Sequence, residues 1–501
     1  MSAPDATASP SPETSRRIPM GVPGLDAVMA GGLPRGRTTL VAGTSGSGKT
    51  VLGLQFLWAD GQGEPGVLVT FEERAEDLFA NMRGFAWGSA AWRDARLAVV
   101  DATAEEDVVE AGGFDFGGLR ARIENAVRTT GARRLVIDAM DAAYSQFSDA
   151  GAVRRELART VRHLRQLEVT TLITAERPEE YGPIARHGVE EFLVDNVVLL
   201  RNVLEGSTRR RTVEVLKLRG FSHNKGEYPF VIDPDHGITI LPLSTIESPW
   251  SAPTDLMSMG NPELDEICRG GVYRDSLMLI SGATGAGKSL MCAQFLTAGI
   301  RTGERAVLFS FEESSGQIIR NAASWGMDLE SPRREGRLQI ISRYSERMGL
   351  EDLLVAVQSD IERHAPQRVV IDSLTALEHS TPRTALRHWL VGLATTLKTQ
   401  RIGAMITTTS TEVMGLRTAT GAELSTLSDV IVLLRYVEID GQLRRALAVL
   451  KSRGTGHDPN LYEFEIRDGG MRLLEPIRGV HGILGGTSGL DLGAGSGPGE
   501  P

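Results

Sequence analysis

Cysteine is nearly missing from this chain: its 501 residues include only Cys268 and Cys292. Two such residues match no metal-ligand spacing, and their scarcity suits a reducing cytosol with both acting as small buried hydrophobes. Long apolar runs are missing too. No stretch approaches the roughly 20 residues that a membrane-spanning helix needs. The N-terminus lacks the charged-then-apolar layout of a signal peptide, so a cytoplasmic protein is the expectation. Positive charge is in deficit, with 54 Lys and Arg against 64 Asp and Glu, a net charge of −10. A chain of that sign is not built as a whole to coat nucleic acid, although a local basic patch stays compatible with it.

What the chain does have is a soluble globular composition, 41% hydrophobic and 24% charged, and a length that suggests two to four domains. Its most informative stretch is Gly43-Thr44-Ser45-Gly46-Ser47-Gly48-Lys49-Thr50. This G-x-x-x-x-G-K-[ST] loop follows the apolar run Leu40-Val41-Ala42 and precedes a helix expected from about Val51. Phosphate binding accounts for each residue type. The glycines let backbone N–H groups converge on phosphate oxygens, and the helix N-terminus adds its positive dipole end. Lys49 reaches the β- and γ-phosphates, and the Thr50 hydroxyl ligates Mg²⁺. The loop returns as Gly282-Ala283-Thr284-Gly285-Ala286-Gly287-Lys288-Ser289, after Leu277-Met278-Leu279-Ile280.

Much else returns with it. Leu25-Asp26 recurs as Leu264-Asp265, Phe71-Glu72-Glu73 as Phe311-Glu312-Glu313, and Ile137-Asp138 as Ile371-Asp372. Asp195 recurs as Asp429, Lys217-Leu218-Arg219-Gly220 as Lys451-Ser452-Arg453-Gly454, and His223 as His457. The offset stays between 234 and 240 residues, which implies a tandem duplication. Short apolar runs at 67–71, 97–100, 135–137, 170–174 and 196–200 alternate with helical patterns near 51–60, 117–130 and 151–168. Such alternation predicts an α/β fold, each half a mainly parallel sheet flanked by helices. The runs 210–218 and 230–241 carry hairpin signals and read as antiparallel strands at one side. Residues 1–16 read as a disordered tail. The halves are expected at 17–247 and 248–478, with a boundary near Glu247–Pro253. Nine glycines in Gly479–Pro501 make 479–501 a tail without a packed element.

Two further groups are needed to act on a γ-phosphate. A carboxylate at the end of a neighbouring strand holds Mg²⁺ or its water, and Asp138 and Asp372 fit that description. A second group orients or deprotonates the nucleophile. Glu72-Glu73 and Glu312-Glu313 each follow an apolar strand, and strand alternation predicts that one of each pair faces the phosphate. A solvated, carboxylate-rich helix N-terminus is the plainer account of those pairs.

These features resemble the KaiC family of two-domain RecA-like P-loop ATPases from the bacterial clock system. The resemblance spans Ile18 to Arg478. It is carried most specifically by Glu179 through Arg186, Gly188 through Phe192, Asp195 through Gly206, Gly226 through Phe230, Trp325 through Asp328, and Tyr436 through Ile439. It implies a double-ring homohexamer with ATP bound between subunits, a first domain that hydrolyses ATP, and a second that phosphorylates and dephosphorylates its own hexamer. Glu72, Glu73, Glu312 and Glu313 inherit the catalytic assignment. The K-x-R segments, Lys217-Leu218-Arg219 with His223 and Lys225, and Lys451 and Arg453 with His457 and Asp458, inherit contact with ATP held by the neighbouring subunit. Adjacent Ser425 and Thr426 take the phosphoacceptor roles, and Thr420 stands at the place of an accessory threonine. The first half has no such hydroxyl pair in Gly188–Asp195.

Some positions depart from the family pattern. His457-Asp458-Pro459 stands where a lysine tends to follow the Asp, and Thr174-Ala175-Glu176-Arg177 stands for Thr-Thr-Glu-Arg. The short Gly-rich C-terminus differs from the longer peptide to which KaiA binds, which argues against KaiA regulation; a KaiB-like partner of the first ring stays open. Two other functions compete with the autokinase. One is a RecA-like DNA-dependent ATPase, disfavoured by the negative charge and the lack of a basic, aromatic-interleaved loop. The other is a nucleotide-gated scaffold without kinase activity, which would need the same motifs.

Overall fold

The computed structural model describes residues 17–58, 64–88, 96–103, 116–144, 150–185, 188, 190–205, 208–241, 253–343, 349–378, 383–409, 425–439, 441–478, 480–481 and 489–490. The chain divides into two compact units, Met1–Pro242 and Leu243–Pro501. The tail expected over 1–16, and residues 247–252 of the expected boundary, lie outside the described residues.

In the first unit nine strands form one sheet. They are β1 (Thr38–Gly43), β2 (Gly66–Thr70), β3 (Leu97–Asp101), β4 (Arg134–Asp138), β5 (Thr170–Glu176), β6 (Asn196–Glu205), β7 (Thr208–Leu218), β8 (Glu227–Asp233) and β9 (Gly237–Ile240), in the order 9-8-7-6-1-5-4-2-3. The run 6-1-5-4-2-3 is parallel. Strands 6 to 9 form an antiparallel extension at one side, where the hairpin signals lie. Helices α1 (Lys49–Trp58), α2 (Ala75–Met82), α3 (Phe116–Thr130) and α4 (Ala150–Gln166) supply the crossovers that parallel strands require. Every residue of β1, β2 and β4 is buried, which is why they read as continuous apolar runs rather than alternating ones.

The second unit repeats the plan with β10 (Leu277–Gly282), β11 (Ala306–Ser310), β12 (Leu338–Ser342), β13 (Arg368–Asp372), β14 (Gly403–Thr409), β15 (Val430–Ile439), β16 (Gln442–Ser452), β17 (Tyr462–Arg467) and β18 (Gly470–Pro476). Their order, 18-17-16-15-10-14-13-11-12, is the first sheet's order nine strands on. The crossovers here are α5 (Lys288–Arg301), α6 (Ser315–Ser324), α7 (Leu350–His364) and α8 (Arg383–Thr399). The likeness extends to buried polar anchors. Arg134 donates to the Phe56 carbonyl at 3.0 Å and to Glu64 at 3.1 Å, and lies 4.7 Å over the Phe56 ring. Arg368 does the same with Phe295 at 3.0 Å and Glu304 at 2.5 Å, its guanidinium 4.6 Å over that ring. Truncating one partner of so buried a pair as Arg368–Glu304 costs about 3–5 kcal/mol.

The two units begin their helices differently. Ser314 caps α6 in a reciprocal box with Gln317, whereas Arg74 at the start of α2 makes no side-chain cap. Val480–His481 pairs with Gly489–Leu490 as a two-residue antiparallel ladder, since such a ladder needs only backbone donors and acceptors and glycine supplies both.

Candidate active site

Each phosphate-binding loop joins the end of its central strand to a helix that starts at the loop lysine. Gly48 and Gly287 have φ of 99° and 110°, a backbone region closed to most side chains, which is why the motif requires glycine there. Lys49 Nζ donates to the Gly43 and Thr44 carbonyls, both at 2.9 Å. Lys288 Nζ donates to Gly282 at 2.8 Å and Ala283 at 3.1 Å. Each lysine thus lies folded over its own loop. Burial pushes both pKa values down, opposed at Lys49 by Glu176, Asp138, Asp141 and Glu72, and at Lys288 by Asp372 and Glu312.

The strand-end aspartates meet the loop hydroxyls. Thr50 Oγ1 donates to Asp138 Oδ2 at 2.8 Å, and Ser289 Oγ to Asp372 Oδ2 at 2.7 Å. Thr174 and Thr407, on the adjacent strand, donate to the other carboxylate oxygen. The peptide bonds after Asp138 and Asp372 are both cis. Each unit therefore holds a hydroxyl and a carboxylate side by side beside the loop lysine.

The glutamate pairs depart from the alternation expected of them. β2 ends at Thr70 and β11 at Ser310, one residue before Phe71 and Phe311. The turns that follow are pinned by Thr70 Oγ1 donating to the Glu73 carbonyl at 2.6 Å, and Ser310 Oγ to the Glu313 carbonyl at 2.8 Å. Alternation holds only within an extended strand, so it does not govern the residues of these turns. In the second unit Glu312 and Glu313 together line a cavity of about 280 Å³ with Thr284, Lys288, Ser289 and Asp372. Asn321 donates to Glu313 at 3.2 Å and Asn81 to Glu73 at 3.4 Å. Partial burial, then Asp138 and Glu176, raise the Glu72 pKa; burial and Asp372 raise that of Glu313.

The surroundings of the two loops differ in ways the motifs do not announce. The Glu176 amide donates to Asp141, placing two further carboxylates near Lys49. At the matching positions of the second unit, the Thr409 amide donates to the Thr375 hydroxyl at 2.8 Å. Glu180 grips the first loop, accepting from Thr44 Oγ1 at 2.6 Å and from the Asn202 amide at 3.0 Å.

The K-x-R segments lie at the opposite ends of the strands from the loops. Lys217 pairs with Val197, level with Leu40 on β1, whereas Gly43 is level with Leu200. Lys451 is likewise level with the start of β10. At 3.3 Å per residue the strands put about 10 Å between these levels, with the loop beyond. Lys217 Nζ donates to the Glu191 and Val194 carbonyls at 3.2 and 2.8 Å. Lys451 Nζ donates to those of Ser425 and Ser428, both at 2.6 Å. These contacts match Ser425 and Thr426 with Glu191 and Phe192. Arg453 donates to the Thr426 carbonyl at 3.0 Å, and Thr426 itself is exposed. Within the K-x-R set, the Leu218 side chain is buried in its own unit, Lys217 is half-buried and Arg219 is exposed. Thr420 lies outside the described residues.

A family model described as "ATPase: KaiC" matches residues 18–245 and 257–477. The chain belongs to the KaiC ATPase family. It is 46% identical over 475 residues to the circadian clock protein KaiC3 of Synechocystis sp., covering 94% of each chain. It is 46% identical over 470 residues to the circadian clock oscillator protein KaiC of Synechococcus elongatus, covering 93% of this chain and 90% of that one. With the KaiC of Thermostichus vulcanus it shares 45% over 491 residues, 97% and 94% of the two chains. Two tandem RecA-like domains and use of ATP follow from that membership. No helix among the described residues is long and apolar enough to cross a membrane.

The loops, aspartates and glutamates expected at each site lie together in each unit, whereas Asp141 was not foreseen, Glu180 was named only within a family stretch and Glu176 only as part of a departure from the family pattern. The one available signal was the mismatch between the two halves at repeat-matched positions.

Proposed function

We propose that the first unit hydrolyses ATP and that the second transfers its γ-phosphoryl group to Ser425 and Thr426 of a neighbouring copy, and also removes it, as the timing or signalling switch of a KaiC-type clock. The observation that carries this is the placement of the acceptor turn with Lys451 and Arg453 at the strand ends opposite the loop at Lys288. One chain thereby offers ATP at one end and hydroxyls at the other, and a ring of like subunits joins the two. A homohexamer is the family's form of such a ring. Arg219 and Arg453, with Lys217, Lys225, His223 and His457, would then face the neighbour's phosphates, where a planar guanidinium meets developing charge.

Mg²⁺ fits the pairs Thr50–Asp138 and Ser289–Asp372. It takes one or two protein oxygens, keeps several waters and completes its shell with phosphate, so the lack of a larger acidic or histidine cluster among the described residues accords with its use. When bound it neutralises charge on the phosphates. Lys288 releases its carbonyls to meet them, and a Glu312 or Glu313 carboxylate accepts the proton of the acceptor hydroxyl. A cytoplasmic setting suits two buried free thiols, and a KaiB-like partner belongs to the same proposal.

Phosphate mapping by mass spectrometry after incubation with Mg·ATP tests the proposal, comparing the natural chain with Ser425→Ala/Thr426→Ala. Phosphate confined to residues 420–428 and lost in the variant is expected. An unphosphorylated natural chain that still hydrolyses ATP would leave a scaffold ATPase instead.

A further inference from the structure

The residue after the strand-end aspartate differs between the units: Ala139 in the first, Ser373 in the second. Both are buried. Ser373 Oγ donates to Glu312 Oε1 at 2.8 Å, and Ser373 lines the same cavity as Glu312, Glu313 and Lys288. Glu72, the counterpart of Glu312, has no side-chain hydrogen bond among the described residues. Ala139 has no hydroxyl to offer it.

We propose that Ser373 is a positioning residue for phosphoryl transfer, fixing the Glu312 carboxylate through one oxygen so that the other is aimed at the incoming nucleophile. A glutamate side chain with a free end samples several rotamers, and a hydrogen bond to a buried, immobile hydroxyl removes most of them. The proton count stays simple. Oε1 accepts from Ser373 throughout, Oε2 takes the hydroxyl proton as the γ-phosphorus forms its bond to the acceptor oxygen, and the bond to the β-phosphate oxygen breaks with ADP leaving. The first unit works on water, which is small and orients itself around a free carboxylate. A protein hydroxyl arrives in one geometry, and there a fixed base matters more. A bond that did no more than satisfy the buried hydroxyl would leave kcat unchanged when lost, and kinetics separate the two.

This inference rests on the autokinase proposal, and its test keeps them apart. In a Glu72→Gln/Glu73→Gln background, which silences the first unit, Mg·ATP is supplied to the natural second unit, Ser373→Ala and Ser373→Thr. Both phosphate incorporation and ATP hydrolysis are followed. Ser373→Ala should lower kcat about 10- to 100-fold, the loss expected from a misplaced reacting group, with KM for ATP changed by no more than about twofold. Ser373→Thr, which keeps the hydroxyl, should restore most of kcat. An unchanged kcat in Ser373→Ala, or a loss confined to KM, overturns the inference. A natural second unit that hydrolyses ATP but takes no phosphate sinks the autokinase proposal and this inference with it, whereas incorporation that is normal in the natural unit and unchanged in Ser373→Ala overturns this inference alone.

Discussion

Lys49 and Lys288 stand on equivalent loops over equivalent strands, yet Asp141 and Glu176 act on the first where Thr375 and Thr409 occupy the matching positions of the second. A similar exchange runs through the rest of the shell. Ala139 corresponds to Ser373, and the Glu191-Phe192 segment held by Lys217 corresponds to the Ser425-Thr426 segment held by Lys451. Loop, strand-end aspartate and glutamate pair were kept through the duplication, and divergence fell on residues that set local charge and present the nucleophile. The first site has two more carboxylates and no hydroxyl at its acceptor turn. The second has neutral threonines and two hydroxyls. That contrast matches a site serving water and a site serving a side chain.

Breaking the second site should give the largest effect. Glu312→Gln is expected to lower phosphate incorporation about 10²- to 10⁴-fold, the usual contribution of a general base, while first-unit hydrolysis continues. Incorporation at the natural rate in a radiolabel assay would remove Glu312 from that role. Next come the loop lysines. Lys49→Ala and Lys288→Ala should each weaken one of two ATP sites about 10- to 100-fold, from about 1.5–3 kcal/mol for a charge-assisted hydrogen bond, as calorimetry would resolve. Loss of both sites from either change would mean that the two are not independent. Hydrolysis by the first unit should also respond to pH through Glu72. Its carboxylate must be ionised to accept a proton, and its pKa is raised, so activity should fall on acidification sooner than for an ordinary glutamate. Glu176→Gln removes one of the raising charges and should move that acid limb to lower pH. The limb of Thr409→Val in the second unit should stay where it is.

The smallest effect concerns stability. Ser314→Ala removes the capping box of α6 and should cost about 1 kcal/mol, read in urea as earlier unfolding of the second unit. Arg74→Ala in the first unit removes no cap and should leave its transition unchanged.

The sequence carried the fold through features that act locally. Buried parallel strands must be apolar throughout, so 67–71 and 135–137 were visible as runs, and a loop that cradles phosphate fixes its own residue types. The aspartates were legible because Asp138 and Asp372 end such runs. Less of the site could be read, because it is assembled by contacts across long stretches of chain. Asp141 meets the amide of a residue 35 positions on, and no local pattern marks the pair. The second unit's glutamate pair departs from alternation for a different reason: the strand ends at Ser310, and beyond it Glu312 and Glu313 line one cavity. Glu180 was visible only as part of a family stretch, since nothing in Glu-Glu-Tyr-Gly points to Thr44.

The antiparallel extension β15 to β18 carries the K-x-R segment back to the end from which β10 starts. Under the proposed function, a subunit built this way would give phosphate at one face and receive it at another, and contacts between copies would be head-to-tail, the kind that closes into rings. Donor and acceptor defects would then lie in separable partners. A chain without a working Glu312 and a chain without Ser425 and Thr426, each inert alone, would complement each other when mixed, with phosphate appearing only on the first. The catalytic unit of this protein would be the junction between two neighbours, and its activity would vanish on dilution.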